Sequence, residues 1–285
     1  NYVPSARLIS SCIEEKRLAG YVLLEESRVT GYSFFFYEGV KGLIGNLFVA
    51  PREARLAHAL LLLEHVLETL LATPGITRAE TQLPHFSLEE LAPCFGARGF
   101  ESYLRQFMAA PLPPARATAR SASAATHGAF QVEPWERRHD PAASRLVYDA
   151  YRQHVDAKIN DQYGSLEGAT RLIENIVQHR GCGEDLPQAS RVAIHRPTQK
   201  LAGVLALTAV GDHTAHIPQI AVAREFQGTG LGTALLDLAF ADLAQRGYRE
   251  VSLTVTYRNS GAVRLYERLG FETFSTFGAF VWNVV

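Results

Sequence analysis

Gln227-Gly228-Thr229-Gly230-Leu231-Gly232-Thr233 carries three glycines at alternate positions between two segments of different periodicity. Residues 216–222 before it read as a strand. Residues 231–245 after it are mostly apolar, and Leu235, Leu236, Leu238, Ala239, Phe240 and Leu243 leave only a narrow polar side, as a helix packed on a sheet does. Arg246-Gly247 stops the helix. Between a strand and a helix start, backbone N–H groups and the positive helix end can hold a phosphate, and glycines let the anion approach and permit positive φ. A nucleotide-hydrolysing loop would end in Gly-Lys-Ser or Gly-Lys-Thr, and this one does not. A dinucleotide fingerprint spaces its glycines 1, 3, 6, whereas these stand at 1, 3, 5, and Glu250 opens a strand instead of ending one.

Outward from the loop, Val251, Leu253 and Val255 alternate with Ser252, Thr254 and Thr256, the period of a strand with one buried face. A short helix over 260–269 ends at Gly270, and a last strand is expected over 279–284. Upstream, residues 191–195 and 201–210 read as two strands joined by the turn at 195–200. The order β-β-β-α-β-α-β predicts an α/β fold of the α+β kind on a mixed sheet. Pro218 has no N–H, so the ladder should break there and open a slot against strand 251–256, into which an extended, amide-rich ligand fits; a plain edge proline is the other reading. Two helices are expected over 141–157 and 165–179. The acidic residues Asp156, Asp161, Glu174, Glu184 and Asp185 of that region read either as a solvated face or as a wall for a cationic amine.

The glycine loop after Ile220-Ala221-Val222, followed by Asn259-Ser-Gly-Ala-Val-Arg-Leu-Tyr266-Glu-Arg-Leu-Gly270-Phe271, resembles the two signature motifs of the GNAT acetyltransferase superfamily. The resemblance implies that the amides of Gln227, Gly228, Thr229, Gly230, Leu231, Gly232 and Thr233 bind the diphosphate of acetyl-CoA. It also implies that Ile220, Ala221 and Val222 pair with the pantetheine arm and that Asn259 bonds to that arm. Tyr266 matches the tyrosine that protonates the departing thiolate, a role that suits a phenol of ordinary pKa about 10; a core tyrosine is the alternative. An amine of pKa about 10.4 must lose a proton before it attacks the thioester. One branch of the family takes that proton on a glutamate where Thr254 stands, which cannot serve; another uses a position that falls on His216, whose ordinary pKa of about 6.5 suits a base. Asp156, Asp161 and Tyr163 are further candidates for gripping the acceptor. The implied activity is N-acetylation of a primary amine, on a small molecule or a peptide. A non-catalytic acyl-CoA sensor and a transferase of longer acyl groups are the competing readings.

The rest of the chain is read against this half. Residues 111–129 hold three prolines and almost no large apolar group, and are expected to be a linker. At an offset of 173, Leu47-Phe48-Val49-Ala50 falls on Ile220-Ala221-Val222-Ala223, and the leucine-rich stretch 60–67 falls on the helix after Thr233. A two-residue gap then puts Gly99-Phe100 on Gly270-Phe271. Arg55, Ala57 and Ala59 stand where Gly228, Gly230 and Gly232 stand, and Phe95 where Tyr266 stands. Residues 1–110 are therefore expected to be a degenerate, truncated copy of the fold, and 130–285 the catalytic domain, as in tandem members of the superfamily. An apolar share of 47% supports packed cores, and 28 basic against 29 acidic residues give no excess for nucleic acid or anionic membranes. Cys12, Cys94 and Cys182 show no metal-ligand spacing, so no metal is expected, and reduced thiols fit a cytoplasmic, soluble protein.

Overall fold

The computed structural model describes residues 10, 11, 13–15, 18–51, 54–112, 128–178 and 182–284. Cys12, His179 and most of the stretch expected as a linker lie outside them. Two compact units are present: one is Phe107–Phe274, and the other is Tyr2–Gln106 with Ser275–Val285.

The unit at the start of the chain opens with three antiparallel strands, β1 (Ala19–Glu25), β2 (Arg28–Glu38) and β3 (Lys41–Val49). Helix α1 (Arg55–Ala72) returns the chain so that β4 (Arg78–Gln82) runs parallel to β3. Helix α2 (Leu88–Gly96) follows, begun by a reciprocal capping box between Ser87 and Glu90, and leads to β5 (Glu101–Pro111). The period of two sends Phe35, Ile44, Leu47 and Val49 to one face, where they join Ala59, Leu62, Leu63, Val66, Leu67 and Leu70 of α1 in one buried cluster. Ala279–Asn283 near the chain end pair antiparallel with β4.

The other unit holds β6 (Phe130–Pro134), α3 (Asp140–Tyr151), α4 (Asp156–Ile159), α5 (Leu166–Val177) and the two-residue β7 (Glu184–Asp185). They precede the run β8 (Arg191–His195), β9 (Lys200–Ala209), β10 (Thr214–Val222), α6 (Leu231–Gln245), β11 (Glu250–Thr256) and α7 (Ser260–Arg268), after which β12 (Glu272–Asn283) begins. Its sheet is mixed: β8, β9 and β10 are antiparallel, and β10 and β11 are parallel. Leu205, Leu207 and Ile217 face α6, packing on Leu231, Leu235, Leu236 and Leu243. Val192, Val204 and Ala206 turn the other way, onto Leu146, Val147, Ile173 and Ile176 of α3 and α5. A sheet covered on both faces is the α/β arrangement expected from the element order.

Two expectations need correction. The helix over 141–157 stops at Tyr151, where the His154 N–H turns back to the Tyr151 carbonyl at 2.7 Å in a tighter turn, and a separate short helix begins at Asp156. The last strand starts at Glu272, seven residues before the expected 279. The ladder does break at Pro218. Parallel pairing of β10 with β11 covers only Thr214–Ile217 against Glu250–Leu253, and the β9 register shifts between His216 and Gln219. Beyond that point β10 and β11 stand apart.

Candidate active site

The glycine loop starts where β10 ends. Gln227 Nε2 donates to the Val222 carbonyl at 3.1 Å and Thr229 Oγ1 to the Phe226 carbonyl at 2.7 Å, so two side chains fold the turn onto itself. Gly228 and Gly230 adopt φ of +76° and +85°, and a Cβ at either would meet nothing within 4 Å. Those positive φ values favour glycine, and the space in front of the turn is open. Gly230 is the N-cap of α6 with no side-chain cap, and the first helical bond is from the Ala234 N–H to the Gly230 carbonyl. The N–H groups of Leu231, Gly232 and Thr233 therefore have no acceptor within the helix, and the positive end of α6 faces the open space. An anion with several acceptor oxygens satisfies this end, and no side chain of the helix itself does.

A cavity of about 660 Å³ runs from this turn along the end of β10 to α7, within the size range of ligand pockets. Ile220, Ala221, Val222, Gln227, Gly228, Gly230, Leu231, Gly232, Thr233, Asn259 and Tyr266 all line it. Thr229 and His216 are not among its lining residues. The Ala223 N–H pairs with β9 at Ala202, so by alternation the backbone groups of Ile220 and Val222 turn toward the gap. There the Ile220 carbonyl accepts the Tyr151 hydroxyl at 2.8 Å. Asn259 Oδ1 accepts the Ala262 N–H at 3.3 Å, which makes this residue the N-cap of α7 as well as part of the wall.

Tyr266 is 6% exposed, and burial first, then the negative charge of Asp156, hold its pKa well above the ordinary phenol value. It stays protonated, able to give a proton, at any pH near neutral. His216 has a different setting. Its Nδ1 lies 3.0 Å from Ser252 Oγ, its ring stacks on Phe107 at 6.3 Å, and burial pulls its pKa down to about 4. It is neutral at pH 7 and engaged away from the cavity lining.

The acidic segment splits. Asp156 accepts from Thr256 Oγ1 at the end of β11 and lies beside the cavity-lining His154. The Tyr163 hydroxyl donates to Gln219 Oε1 at 2.8 Å while its ring stacks on Tyr151 at 4.5 Å. Asp185 instead sits near Asp140 and Arg137, where burial raises its pKa to about 6. Sequence reasoning missed Tyr151, His154 and Phe226 in the cavity wall. Tyr151 reaches it from the last turn of α3 and His154 from the break in the expected helix, which no local pattern announced. Gly261, Leu265 and Arg268, also in the wall, belong to the second motif and stand four and then three residues apart along α7. Among the described residues no cluster of three or more His, Cys, Asp or Glu could hold a metal ion, and no helix is long and apolar enough to cross a membrane.

Residues 159–271 match the family model described as the acetyltransferase (GNAT) family. An N-acetyltransferase of Methanocaldococcus jannaschii, named as uncharacterised, is 47% identical over 58 residues, which are 20% of this chain and 26% of that one. Mycothiol acetyltransferase of Kocuria rhizophila is 51% identical over 53 residues, 19% of this chain and 18% of its own length. The chain thus spans about a quarter or less of these relatives. A GCN5-related N-acetyltransferase from Sphaerobacter thermophilus shares the fold at 17% identity, with a TM-score of 0.62 over 90% of this chain and 78% of that one.

Proposed function

Because residues 159–271 match the acetyltransferase (GNAT) family, we propose that this chain transfers an acetyl group from acetyl-CoA to a primary amine, with the reaction at the cavity lined by β10, the glycine turn and α7. The observation that carries the reading is the turn at Gln227–Thr233. Its glycines stand at positive φ, no side chain fills the space in front, and the bare helix end points at the same cavity as a buried, protonated tyrosine. In this reading the N–H groups of Leu231, Gly232 and Thr233 hold the diphosphate of the co-substrate. The separated edge of β10 at Ile220–Val222 lies along the pantetheine arm, as an added strand lies along a sheet edge. The thioester supplies an activated acyl carbon, and Tyr266 supplies the proton that lets the thiolate leave. In this reading the catalytic domain falls within residues 130–285 and the degenerate copy within 1–110, with 111–129 between them, and the chain end Ser275–Val285 belongs to the compact unit of the copy. The reading keeps the chain in the cytoplasm, and the acceptor is a small-molecule or peptide amine.

Release of free CoA thiol from acetyl-CoA, measured with a panel of amines, tests this. Amine-dependent release that slows 10- to 100-fold in Tyr266→Phe, with CoA affinity kept within twofold, is the expected outcome. Tight CoA binding without release across the whole panel favours a sensor. Faster release from longer acyl thioesters favours a different acyl donor.

A further inference from the structure

A second cavity, of about 720 Å³, lies between α3 on one side and the β8–β9 turn with the end of β10 on the other. Leu146, Ala150, Ile194, Leu201 and Ala223, all buried or half-buried, give it an apolar floor. Its sides are charged and exposed. Arg145, Asp149 and Arg152 stand four and then three residues apart along α3 and its C-cap, one stripe of the helix, while Lys200, Arg224 and Glu225 line the other side. Arg138, at one end, is already paired with Glu133 at 3.0 Å and Glu136 at 3.4 Å. The other four cations are not neutralised. Arg145 and Lys200 form no ion pair among the described residues, the Arg152 guanidinium lies 5.7 Å over the Tyr148 ring, and Arg224 donates to the uncharged Gln153 amide at 2.9 Å. Set against the carboxylates of Asp149 and Glu225, these four leave the groove positive in a chain whose net charge is −1.

Two features say what kind of anion fits. The helix side of the groove, from Ala142 to Arg152, is about 15 Å long at a rise of about 1.5 Å per residue, the length of four to five extended residues at about 3.3 Å each. The two carboxylates stand among the cations, so a nucleic acid strand, with a phosphate about every 3.4 Å, would set like charge against Asp149 and Glu225. Acidic side chains spaced along a peptide can meet the cations alone. The groove also runs into the reaction cavity: Ala150 lines both, and Ala223, Arg224 and Glu225 stand in sequence between Val222 and Phe226, which line that cavity. Resting on the N-acetyltransferase reading, we propose that this groove holds an acidic, extended segment of a peptide acceptor whose amine enters the cavity beside Tyr266. The floor takes the apolar stems of the segment and the cations of both sides take its carboxylates. Exposed charge pairs of this kind set encounter and selection more than tight binding, so the acceptor is chosen by charge at a distance from the reacting atoms.

The test uses the full chain, acetyl-CoA, a small uncharged-tail amine, and three peptides alike in length and first residue that carry glutamate, glutamine or lysine at the next four positions. Thiol release gives turnover, and anisotropy of peptides labelled at their far end gives binding. The parent is expected to favour the glutamate peptide over the glutamine peptide by tenfold or more in kcat/KM, through KM. Arg145→Glu combined with Lys200→Glu is expected to turn the preference toward the lysine peptide, a gain that a misfolded variant cannot show, with CoA affinity and small-amine turnover within twofold of the parent. Glutamate and glutamine peptides handled within twofold of each other by the parent overturn the groove assignment and leave the transferase reading intact. So does a loss of CoA affinity in the double variant, which puts the co-substrate's own phosphate in the groove, and so does a single-stranded oligonucleotide that displaces the labelled glutamate peptide better than the unlabelled peptide does. A parent that binds the glutamate peptide yet releases no thiol with any amine fails the transferase reading and keeps the groove as a peptide site.

Discussion

The two units share a plan and differ where it counts for chemistry. β3 and β10 are displaced by 173 residues at both ends, and α1 and α6 end at the same displacement. Each following strand pairs parallel over four residues, and each register shifts nearby, at Gly45 in β3 and at Pro218 in β10. In the C-terminal unit the turn after the strand is open and a tyrosine lines a cavity. In the N-terminal unit Arg55 replaces the first glycine, and its guanidinium lies 4.1 Å over the Phe86 ring. Phe95, at the place of Tyr266, is fully buried and stacks on Phe280 at 4.0 Å. The outer sheet faces differ too. β9 and β10 are covered by α3 and α5 on the side away from α6, whereas Val22, Val29 and Phe48 on the corresponding side of the N-terminal sheet are 58%, 60% and 39% exposed. A shared backbone plan therefore does not carry a shared open turn: packing needs only the periodicity of apolar residues, while an open turn needs particular residues at particular φ.

The sharpest way to break this contrast is to close the functional turn. Gly230→Asp puts a Cβ at φ +85° and a negative charge into the open space, so CoA affinity measured by calorimetry should fall more than 1000-fold, about 4 kcal/mol. Unchanged affinity would remove the phosphate role from this loop.

A second substitution makes the units alike at one half-buried position. His216 corresponds to Leu43 in the repeat. The folded pKa of His216, about 4, lies below its ordinary 6.5, so the unfolded chain binds more protons between those values. The neutral ring's contribution is full above pH 6.5 and is lost as pH falls toward 4, up to about 3 kcal/mol in all. Chemical unfolding of His216→Leu at pH 7 and pH 4.5 should show that part of the acid sensitivity gone; an unaltered slope would put the sensitivity elsewhere.

The smallest effect comes from the reverse exchange. Phe95→Tyr places the residue type of Tyr266 at the matching position of the N-terminal unit, but its hydroxyl enters a cluster of Phe86, Phe100 and Phe280. A buried hydroxyl without a partner costs about 1–3 kcal/mol, so the variant should melt earlier and gain no acetyl transfer. Unchanged melting would mean that a polar partner is within reach.

Much of the site was legible because it is local. The loop glycines, the Ile220–Val222 strand, Asn259 and Tyr266 lie within about 50 residues, and each announces itself by residue type and spacing. His216 was a candidate base by counting along one strand. Counting does not see the partner strand, and it is Ser252 and Phe107 that engage the ring.

The sequence by itself determined the element order, the mixed sheet, the break at Pro218 and the position of the glycine turn, since periodicity and missing N–H groups act over a few residues. Tertiary structure alone decided that Asp156, 100 residues before Thr256, meets the end of β11, and that Tyr151 and His154 close the cavity wall. It also decided which copy of the plan keeps an open site, because whether a side chain fills a gap depends on neighbours that the chain brings together only when folded.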